Sequence, residues 1–423
     1  MQSIFIQIAS YRDPELIPTL KDILQTAAHP ERLTFGICHQ YSHEDVWDDL
    51  SEFKNDPRFS VMEVPWNQSE GLCWARMHTQ KMWKGEYWTL QLDSHHRMAD
   101  NWDVELINMA VQTQSEKPIL TSYAGSYDPE TNTKHNVEPY RMVAKSFTEY
   151  GTIVFAPEGF IEWKDINKPF LARFVSGHYF FTKGIHCQEY NYDPHLYFQG
   201  DEISLAVRSY TLGYDLFHPH RTVVWHEYTR KNRVKHWDDF TESNKKQIKK
   251  TWLDSDAVSK SRLRQLLQME DNGFDLKQYG LGTVRSLQDY EEYAGIDFKL
   301  KKLHPDTLQG VNPPLFNPQD QSWKHIVIQN YSGQVSWADN WQSITQLLGC
   351  TCKLQFIMIA IEDKEGRLLF REDLNAPEFL NGSIKSFNYS FGSASEPILA
   401  IVWPYTTEQQ WVHRINLHLK DQN

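Results

Sequence analysis

Residues 4–27 read IFIQIASYRDPELIPTLKDILQTA, an apolar run followed by a polar turn and a longer segment with helical spacing. The run IFIQIAS (4–10) has the continuous apolar character of a strand buried on both faces of a sheet. After the turn, PELIPTLKDILQTA (14–27) repeats apolar residues every three or four positions, which is the period of an amphipathic helix. This stretch predicts a strand–turn–helix unit of an α/β fold.

The same alternation continues as far as the YWTLQLD run. LTFGICHQ (33–40), FSVMEVP (59–65) and YWTLQLD (87–93) are strand-like, and the segments between them, EDVWDDLSEF (44–53) and GLCWARMHTQKMW (71–83), have helical spacing. Strands that alternate with helices form crossover units, and such units join parallel strands. The pattern therefore predicts a Rossmann-like, mostly parallel sheet with helices on its faces.

Polar residues follow the first and fourth of these strands. SYRD (10–13) comes after the first strand, and DSHH (93–96) ends the fourth. Ligands of open α/β sheets bind beyond the carboxyl ends of the strands. We therefore expect these two segments, with the residues after the third strand, to share one cleft.

Asp93 and His95 form a candidate metal pair. Side chains two residues apart on an extended segment project to the same side, so one carboxylate and one imidazole can ligate one ion. This donor set suits Mn²⁺, Fe²⁺ or Zn²⁺ better than Ca²⁺. His226 in VVWHEYTR follows another short strand and is the leading candidate for a third ligand. The alternative is that Asp93 caps the next element and the histidines are ordinary loop residues.

Several motifs occur in one order along residues 1–300, and together they are distinctive. They are IQIASYRDPEL, EGLCWARM, QLDSHHRM, SGHYFF, FQGDEISLAVRSYTLGYDLF, VVWHEY and YGLGTVRSLQDYEEYAGIDF. This set resembles the polypeptide (hydroxyproline) N-acetylglucosaminyltransferase family of retaining glycosyltransferases. The D-x-H pair, the later histidine and the GLxxxR stretch also resemble, more distantly, the polypeptide N-acetylgalactosaminyltransferases. The resemblance implies a catalytic domain of the GT-A type.

The resemblance also implies roles for single positions. The metal ligands would be Asp93, His95 and His226, and the catalytic residues would be Asp93 with the metal and Asp201 near the sugar and acceptor. Residues on the nucleotide and sugar side would be Ala9, Ser10, Tyr11, Arg12, Gly71, Leu72, Arg76, Ser94, Gly177 and His178.

Each role has a structural alternative. Arg12 can pair with nearby acids, and Arg76 can be an ordinary exposed helix residue. Asp201 begins a predicted helix, where an acid favours the macrodipole without catalytic duty. Among the other histidines, His96 is interpreted as a residue beside the ligands or in solvent, and we interpret three as surface or structural residues: His218, His220 and His236.

The implied reaction transfers a sugar from a UDP-sugar to a hydroxyl group with retention of configuration. The donor is expected to be UDP-N-acetylglucosamine and the ion Mn²⁺ (or Mg²⁺), which would neutralise the departing diphosphate. The acceptor would be a protein or peptide, hydroxyproline-like, or a glycan. Front-face attack assisted by the leaving phosphate is the preferred hypothesis, because no carboxylate is identified as a nucleophile.

Two other functions stay open at this point. A metal-dependent nucleotide phosphodiesterase or hydrolase could use the same ligands, although such enzymes usually need two metals and a denser ligand cluster. A non-catalytic glycan-binding protein is the third reading, in which the first domain would have lost its activity. The intact D-x-H and GLxxxR motifs argue against that loss.

The composition limits the partners and the cellular location that we expect for the protein. The formal net charge of −12 argues against a general nucleic-acid partner. The five cysteines form no regular framework, as expected in a reducing compartment. No signal peptide or membrane span is recognised, so a cytoplasmic location is expected. A homodimer is one arrangement left open.

The later part of the chain changes character. We predict a catalytic domain over residues 1–303 and a Pro- and Asn-rich linker over 304–321. Residues 322–423 contain short strand-like runs at near-regular spacing, typical of a small all-β, sandwich-like accessory domain.

Overall fold

The computed structural model divides the chain into two compact units, Met1–Lys324 and His325–Asn423. In the first unit the structure describes residues 2–148, 150–159, 161–229, 233–241, 244, 252–313 and 324. In the second it describes residues 329–337, 354–364, 366, 368–375, 386–393, 395–406, 410–411 and 414–419.

The helices and strands of the first unit alternate as far as Asp93, and most strands after that residue are short, while the longest described helix, Trp252–Leu266, lies in the later part of the unit. In chain order they are β1 (Ile4–Tyr11), α1 (Leu16–Thr26), β2 (Leu33–Tyr41), α2 (Ser51–Lys54), β3 (Phe59–Pro65), α3 (Leu72–Gln80), β4 (Trp88–Asp93), β5 (His96–Met98), α4 (Trp102–Gln112), β6 (Pro118–Thr121), β7 (Gly125–Asp128), β8 (Thr133–Lys134), β9 (Arg141–Phe147), β10 (Ile153–Glu158), β11 (Phe170–Leu171), β12 (Tyr179–Lys183), α5 (His186–Glu189), α6 (Asp201–Thr211), β13 (Asp215–His218), β14 (Val224–His226), α7 (Trp252–Leu266), α8 (Leu287–Ala294), β15 (Ile296–Asp297), β16 (Lys302–Leu303) and α9 (Pro305–Leu308). Short 3₁₀ helices cover Pro30–Arg32, Trp66–Gln68, Ile161–Asp165, His236–Asp239 and Lys277–Tyr279.

The main sheet has eight strands in the order β11-β13-β6-β12-β4-β1-β2-β3. Its β4-β1-β2-β3 half is parallel, and β12 runs antiparallel between β4 and β6. The central strands are apolar because both faces are covered: Ile6 and Ile8 of β1 are buried in the core that includes α1 and α4, and Phe5, on the opposite face where α3 contacts β1, is buried as well. The predicted α/β fold with crossover units is confirmed.

A smaller sheet lies beside the carboxyl ends of these strands, in the order β5-β14-β7-β8. Its strand β5 begins at His96, three residues after β4 ends, so the chain passes from one sheet to the other across the DSHH segment.

The prediction of a helix over residues 44–53 is wrong for most of its length. Only Ser51–Lys54 is helical, and the preceding residues form turns. Two aspartates of this segment contact basic residues outside it. Asp45 pairs with Arg12, with an Nε–Oδ2 distance of 2.7 Å, and Asp48 Oδ1 lies 2.8 Å from His39 Nε2. These contacts hold the segment in an irregular path that helical spacing alone does not reveal.

The start of the predicted linker is structured. Pro305–Leu308 forms α9, and the buried Thr307 donates to the carbonyl of Ala294. The linker residues from 314 onward lie outside the described part of the chain, as does most of the strand-like run at 323–330.

The second unit consists of strands within its described residues. They are β17 (Gln329–Ser336), β18 (Leu354–Glu362), β19 (Leu368–Asn375), β20 (Ser386–Ser393), β21 (Leu399–Thr406), β22 (Gln410–Trp411) and β23 (Ile415–His418). One sheet pairs β17 with β20, and the other has the order β19-β18-β21-β22 with β23 also beside β21. Both sheets contribute to one core, which includes Val335, Trp337, Ile357, Ile359 and Ile361.

Candidate active site

The site begins where β1, β2 and β4 end side by side. Register pairs Ala9 with Asp93 and Tyr11 with Gln40, so the last residues of three parallel strands share one edge. The polar side chains that follow the strands therefore meet there, as the sequence predicted.

The smaller sheet brings a distant histidine to the same edge. In the antiparallel pair of β5 and β14, His226 lies opposite His96, and the backbone N–H of Glu227 donates to the carbonyl of His95 at 3.1 Å. Residue 226 thus comes beside residues 93–95 although more than a hundred residues separate them in the chain.

Asp93, His95 and His226 form a cluster of metal-ligand type. One ligand atom of each lies within 4.8 Å of the others. Asp93 Oδ2 is 3.8 Å from His95 Nε2 and 3.7 Å from His226 Nε2. Both ring nitrogens of His226 are buried and lack hydrogen-bond partners in the structure. A buried imidazole without a hydrogen bond is costly, and a divalent ion would satisfy it, so these residues fit such an ion.

The protonation states of Asp93 and His226 also suit the binding of a divalent ion. Burial lowers the pKa of His226 well below its usual range, so the imidazole stays neutral and keeps a lone pair. Burial alone would raise the pKa of Asp93, but His226 and the charge of Arg76 hold it well below its usual range. A carboxylate and neutral imidazoles are the forms that bind metals.

Asp13 fixes the orientation of His95. Its Oδ2 lies 2.7 Å from His95 Nδ1 and also accepts a hydrogen bond from Ser94 Oγ at 2.7 Å. Because a carboxylate only accepts, the ring proton is on Nδ1 and the lone pair on Nε2. A carboxylate–histidine pair of this kind holds a ligand in place and raises its basicity.

Arg76 joins two carboxylates behind the cluster. Its guanidinium donates to Asp93 Oδ1 at 2.9 Å, to the carbonyl of Gly177 at 2.6 Å and to Asp201 Oδ2. Asp201 is buried and also accepts from Cys73 Sγ. Burial raises the pKa of Asp201, although Arg76 opposes the effect. The site therefore rests on a buried, charge-paired layer.

A cavity of about 160 Å³ opens above these residues. It combines strand ends, the start of α3 and two later segments, and its walls are Ala9, Tyr11, Asp13, Gln40, Gly71, Leu72, Asp93, Ser94, His95, Tyr197, Phe198, Arg233, Val234, Lys235, His236 and Trp237. Gly71 has φ +110°, which favours glycine, and a Cβ there would lie 2.7 Å from the ring of Tyr197, so a side chain at this position would clash with that ring.

Comparison with known proteins adds the family. A family model described as "Glycosyltransferase (GlcNAc)" matches residues 3–56 and 48–300, more than half of the chain. The chain belongs to this glycosyltransferase family. No curated protein matches it.

Solved structures similar to this glycosyltransferase are distant from it. The crystal structure of GalNAc-T7 with UDP, GalNAc and Mn²⁺ is 13% identical, with a TM-score of 0.46, and the match covers 68% of this chain. The chain spans 56% of the length of that GalNAc-T7 chain. TarS 1–349 of S. aureus is 9% identical, with a TM-score of 0.37, over 66% of this chain and 77% of that one.

Only some of the residues that were predicted for the nucleotide and sugar side line the cavity of this glycosyltransferase. Those lining it are Ala9, Tyr11, Gly71, Leu72 and Ser94. Ser10 is buried beneath it, and Arg12 pairs with Asp45 and Asp239 instead. Arg76 is buried rather than exposed.

Gly177 and His178 lie behind the cavity. A Cβ on Gly177 would stand 3.0 Å from Asp201 Oδ2 and 3.2 Å from Arg76 Nη1, so glycine allows this pair to form. The His178 ring packs 4.5 Å from that of His226 and is held by Ser176 Oγ at 2.9 Å. Glu202 accepts from the Gly177 N–H at 3.0 Å, and burial raises the pKa of Glu202 to about 7.

Sequence reasoning missed the wall formed by residues 233–237. This segment is tied down by long-range contacts: Tyr11 Oη donates to Asp239 at 2.6 Å, Arg12 reaches the same carboxylate at 2.6 Å, and Tyr197 Oη lies 2.6 Å from His236 Nδ1. The interpretation of His236 as a surface or structural residue is therefore incomplete, because it also lines the cavity. The aromatic and acidic run HWDDF was the available signal.

His218 fits its structural interpretation. It is buried and bonded to the Thr121 carbonyl at 2.8 Å. His96 is buried beside the cluster but contributes no ligand atom to it. Within the described part of this glycosyltransferase, no helix is long and apolar enough to cross a membrane.

Proposed function

We propose that this glycosyltransferase is metal-dependent and retaining, and that it moves N-acetylglucosamine from UDP-N-acetylglucosamine to a hydroxyl group. The acceptor is a hydroxyproline-like residue of a protein or peptide, or a glycan. One observation carries the proposal: Asp93, His95 and His226 meet beside a cavity whose wall includes Asp93, His95 and the carboxyl ends of parallel strands.

In this proposal Asp93, His95 and His226 hold Mn²⁺ or Mg²⁺. The bound ion would supply positive charge to the diphosphate of the donor and so stabilise UDP as the leaving group. The chain's own part is to present these ligands deprotonated and pre-oriented, through Arg76 behind Asp93 and Asp13 behind His95.

The remaining cavity wall suits the nucleotide. Gly71 at the start of α3 lets the Tyr197 ring pack close to its Cα on this wall, and the aromatic ring of Tyr11 offers a stacking surface for a base. Gln40 and Ser94 are polar groups on the same wall. We place the uridine over β1, β2 and α3 and the diphosphate toward Asp93.

The engagement of Asp201 supports front-face attack. Its two oxygens are bonded to Arg76 and Cys73 in the buried layer, so this carboxylate is not free to attack the sugar. In the proposed step the acceptor oxygen forms a bond to C1 on the face that the phosphate leaves. The C1–O bond to phosphate breaks with its electron pair on UDP, and the acceptor proton passes to a phosphate oxygen.

Thermal unfolding with nucleotides and Mn²⁺ tests the proposal. Ligand at about 100 times its dissociation constant stabilises the folded state by about 2.7 kcal/mol, which raises the melting temperature measurably. We expect a rise that needs UDP and Mn²⁺ together, that is lost in Asp93→Asn and that is kept in the control Asp45→Asn. UDP as the product, rather than nucleoside monophosphate or inorganic phosphate, separates transfer from phosphodiester hydrolysis. No rise with any nucleotide in the folded protein would contradict the proposal.

A further inference from the structure

Arg233 lies against the proposed metal ligands from the outer side of the site. Its side chain is 13% exposed. It forms part of the wall of the 160 Å³ cavity and of a second cleft of about 490 Å³, which has several carboxylates on its walls, Glu15, Asp128 and Glu227 among them. The guanidinium thus lies between the two spaces.

The contacts of Arg233 converge on His95 and its neighbours. Nη1 contacts both ring nitrogens of His95, at 2.6 Å from Nε2, and lies 3.3 Å from Asp13 Oδ2. Nη2 is 3.8 Å from Glu227 Oε2. A donor that is this close to both nitrogens is not aligned with either in-plane lone pair, so the contact brings the guanidinium charge against the ring rather than forming a hydrogen bond to it.

The nearby charge matters for the ring atom that would bind an ion. Nδ1 carries the proton that is donated to Asp13, which leaves the lone pair on Nε2. Nε2 is also the ring atom that lies 3.8 Å from Asp93 Oδ2, as a metal ligand would. The Arg233 guanidinium therefore lies 2.6 Å from the nitrogen that a divalent ion would bind, and two cations so close to each other repel.

We propose that Arg233 is an internal competitor of the divalent ion, which must displace the guanidinium from His95 in order to bind. This inference rests on the proposed function of the Asp93–His95–His226 cluster. After displacement Arg233 keeps Glu227 and Asp13 within reach, so the competition weakens metal binding without abolishing it. Arg233 thereby sets the affinity of the site for its ion.

Titration calorimetry with Mn²⁺ on the full-length protein tests the inference without any activity measurement. We expect Arg233→Met to tighten the Mn²⁺ dissociation constant by about tenfold at fixed ionic strength, because the competing positive charge beside Nε2 is gone. The matched control is Lys235→Met, which removes the same charge from the same segment and cavity wall. Lys235 contacts Asp238 rather than His95, so we expect a change of less than about twofold.

The outcomes separate this inference from the function proposed above. Equal Mn²⁺ affinity in wild type and Arg233→Met overturns the proposed competition but leaves the proposed function standing. Equal tightening by Arg233→Met and Lys235→Met has the same meaning, because it would indicate a general effect of charge. Absence of Mn²⁺ binding in both wild type and Arg233→Met overturns the metal cluster and the proposed function with it. Arg233→Gln provides a second test if the Met variant is poorly folded, and the same tightening is expected.

Discussion

At the scale of single residues, the Asp13 carboxylate decides which nitrogen of His95 faces the cavity. Burial alone would raise the pKa of Asp13, but the hydrogen bond from His95, with the charge of Arg233 and the hydrogen bond from Ser94, holds it well below its usual range. Asp13 is therefore ionised, and the imidazole it holds is a better electron donor at Nε2. The acid follows SYR directly in the sequence, but nothing in the sequence indicates its partner, which is 82 positions away.

Replacement of this positioning residue should weaken metal binding while leaving every proposed ligand present. We expect Asp13→Ala to raise the Mn²⁺ dissociation constant by about 10- to 100-fold, because His95 loses the acceptor that orients it. Calorimetric titration measures the change.

The control for Asp13→Ala is Asp45→Ala, which removes another buried carboxylate close to the site. Asp45 pairs with Arg12 and does not touch His95, so its loss should leave the Mn²⁺ affinity unchanged. Equal affinity in Asp13→Ala and wild type would show that His95 needs no support from Asp13.

At the scale of elements, the sequence-based predictions were most accurate for helices and strands in which the spacing of the apolar residues matches the residues that are buried. Strands β1, β2 and β4 and helix α1 have apolar residues at the spacing of the element they form, so the pattern and the burial agree. Residues 44–50 have helical spacing as well, yet Asp45 and Asp48 are committed to Arg12 and His39.

In the candidate site, too, the residues that could be predicted are those that local sequence identifies, and the missed ones are positioned by distant contacts. Asp93 and His95 were predictable because they are neighbours in the chain, and His226 because it follows a recognisable strand. The segment at 233–237 was missed because its position depends on contacts to Tyr11, Arg12 and Tyr197, which lie far away in sequence. Sequence separation, rather than residue type, limited the prediction.

Helix α5 begins with a histidine that should make the fold sensitive to acid. His186 is buried, stacks on Tyr190 and lies 3.1 Å from Ser209 Oγ, and burial lowers its pKa to about 3. In the unfolded chain its pKa is about 6.5. Between these values the unfolded state binds a proton that the folded state does not, so stability falls as pH falls below about 6.5.

The pH dependence of denaturant unfolding measures this contribution. Between pH 7 and pH 5, we expect the wild-type free energy of unfolding to fall by about 2 kcal/mol more than that of His186→Gln. The comparison of slopes removes the contribution of all other titrating groups and any constant loss caused by the substitution. Parallel pH curves for the two proteins would contradict the assignment.

At the scale of the whole molecule, the two units have separate hydrophobic cores. The clusters around Ile8 and around Ile359 share no residue, and all three ligand-type side chains belong to the first unit. A defect in the core of the second unit should therefore leave the metal cluster intact.

Matched core substitutions test this separation. Ile359→Ala and Ile8→Ala each shorten a fully buried side chain and should cost the unit concerned about 2–5 kcal/mol. We expect scanning calorimetry to show a lowered transition of a different unit in each variant, and Ile359→Ala to keep the wild-type Mn²⁺ affinity. One transition lowered equally by both changes would mean that the units unfold together.

The position of β14 between β5 and β7 has a consequence during protein synthesis. A nascent chain that ends before residue 224 already contains Asp93 and His95, but it lacks the strand that brings His226 between its two neighbours. The three ligand atoms can therefore gather only after residue 226 has left the ribosome. Interrupted products carry at most two of the three ligand-type side chains, so tight binding of Mn²⁺ would distinguish a finished first unit from a truncated one.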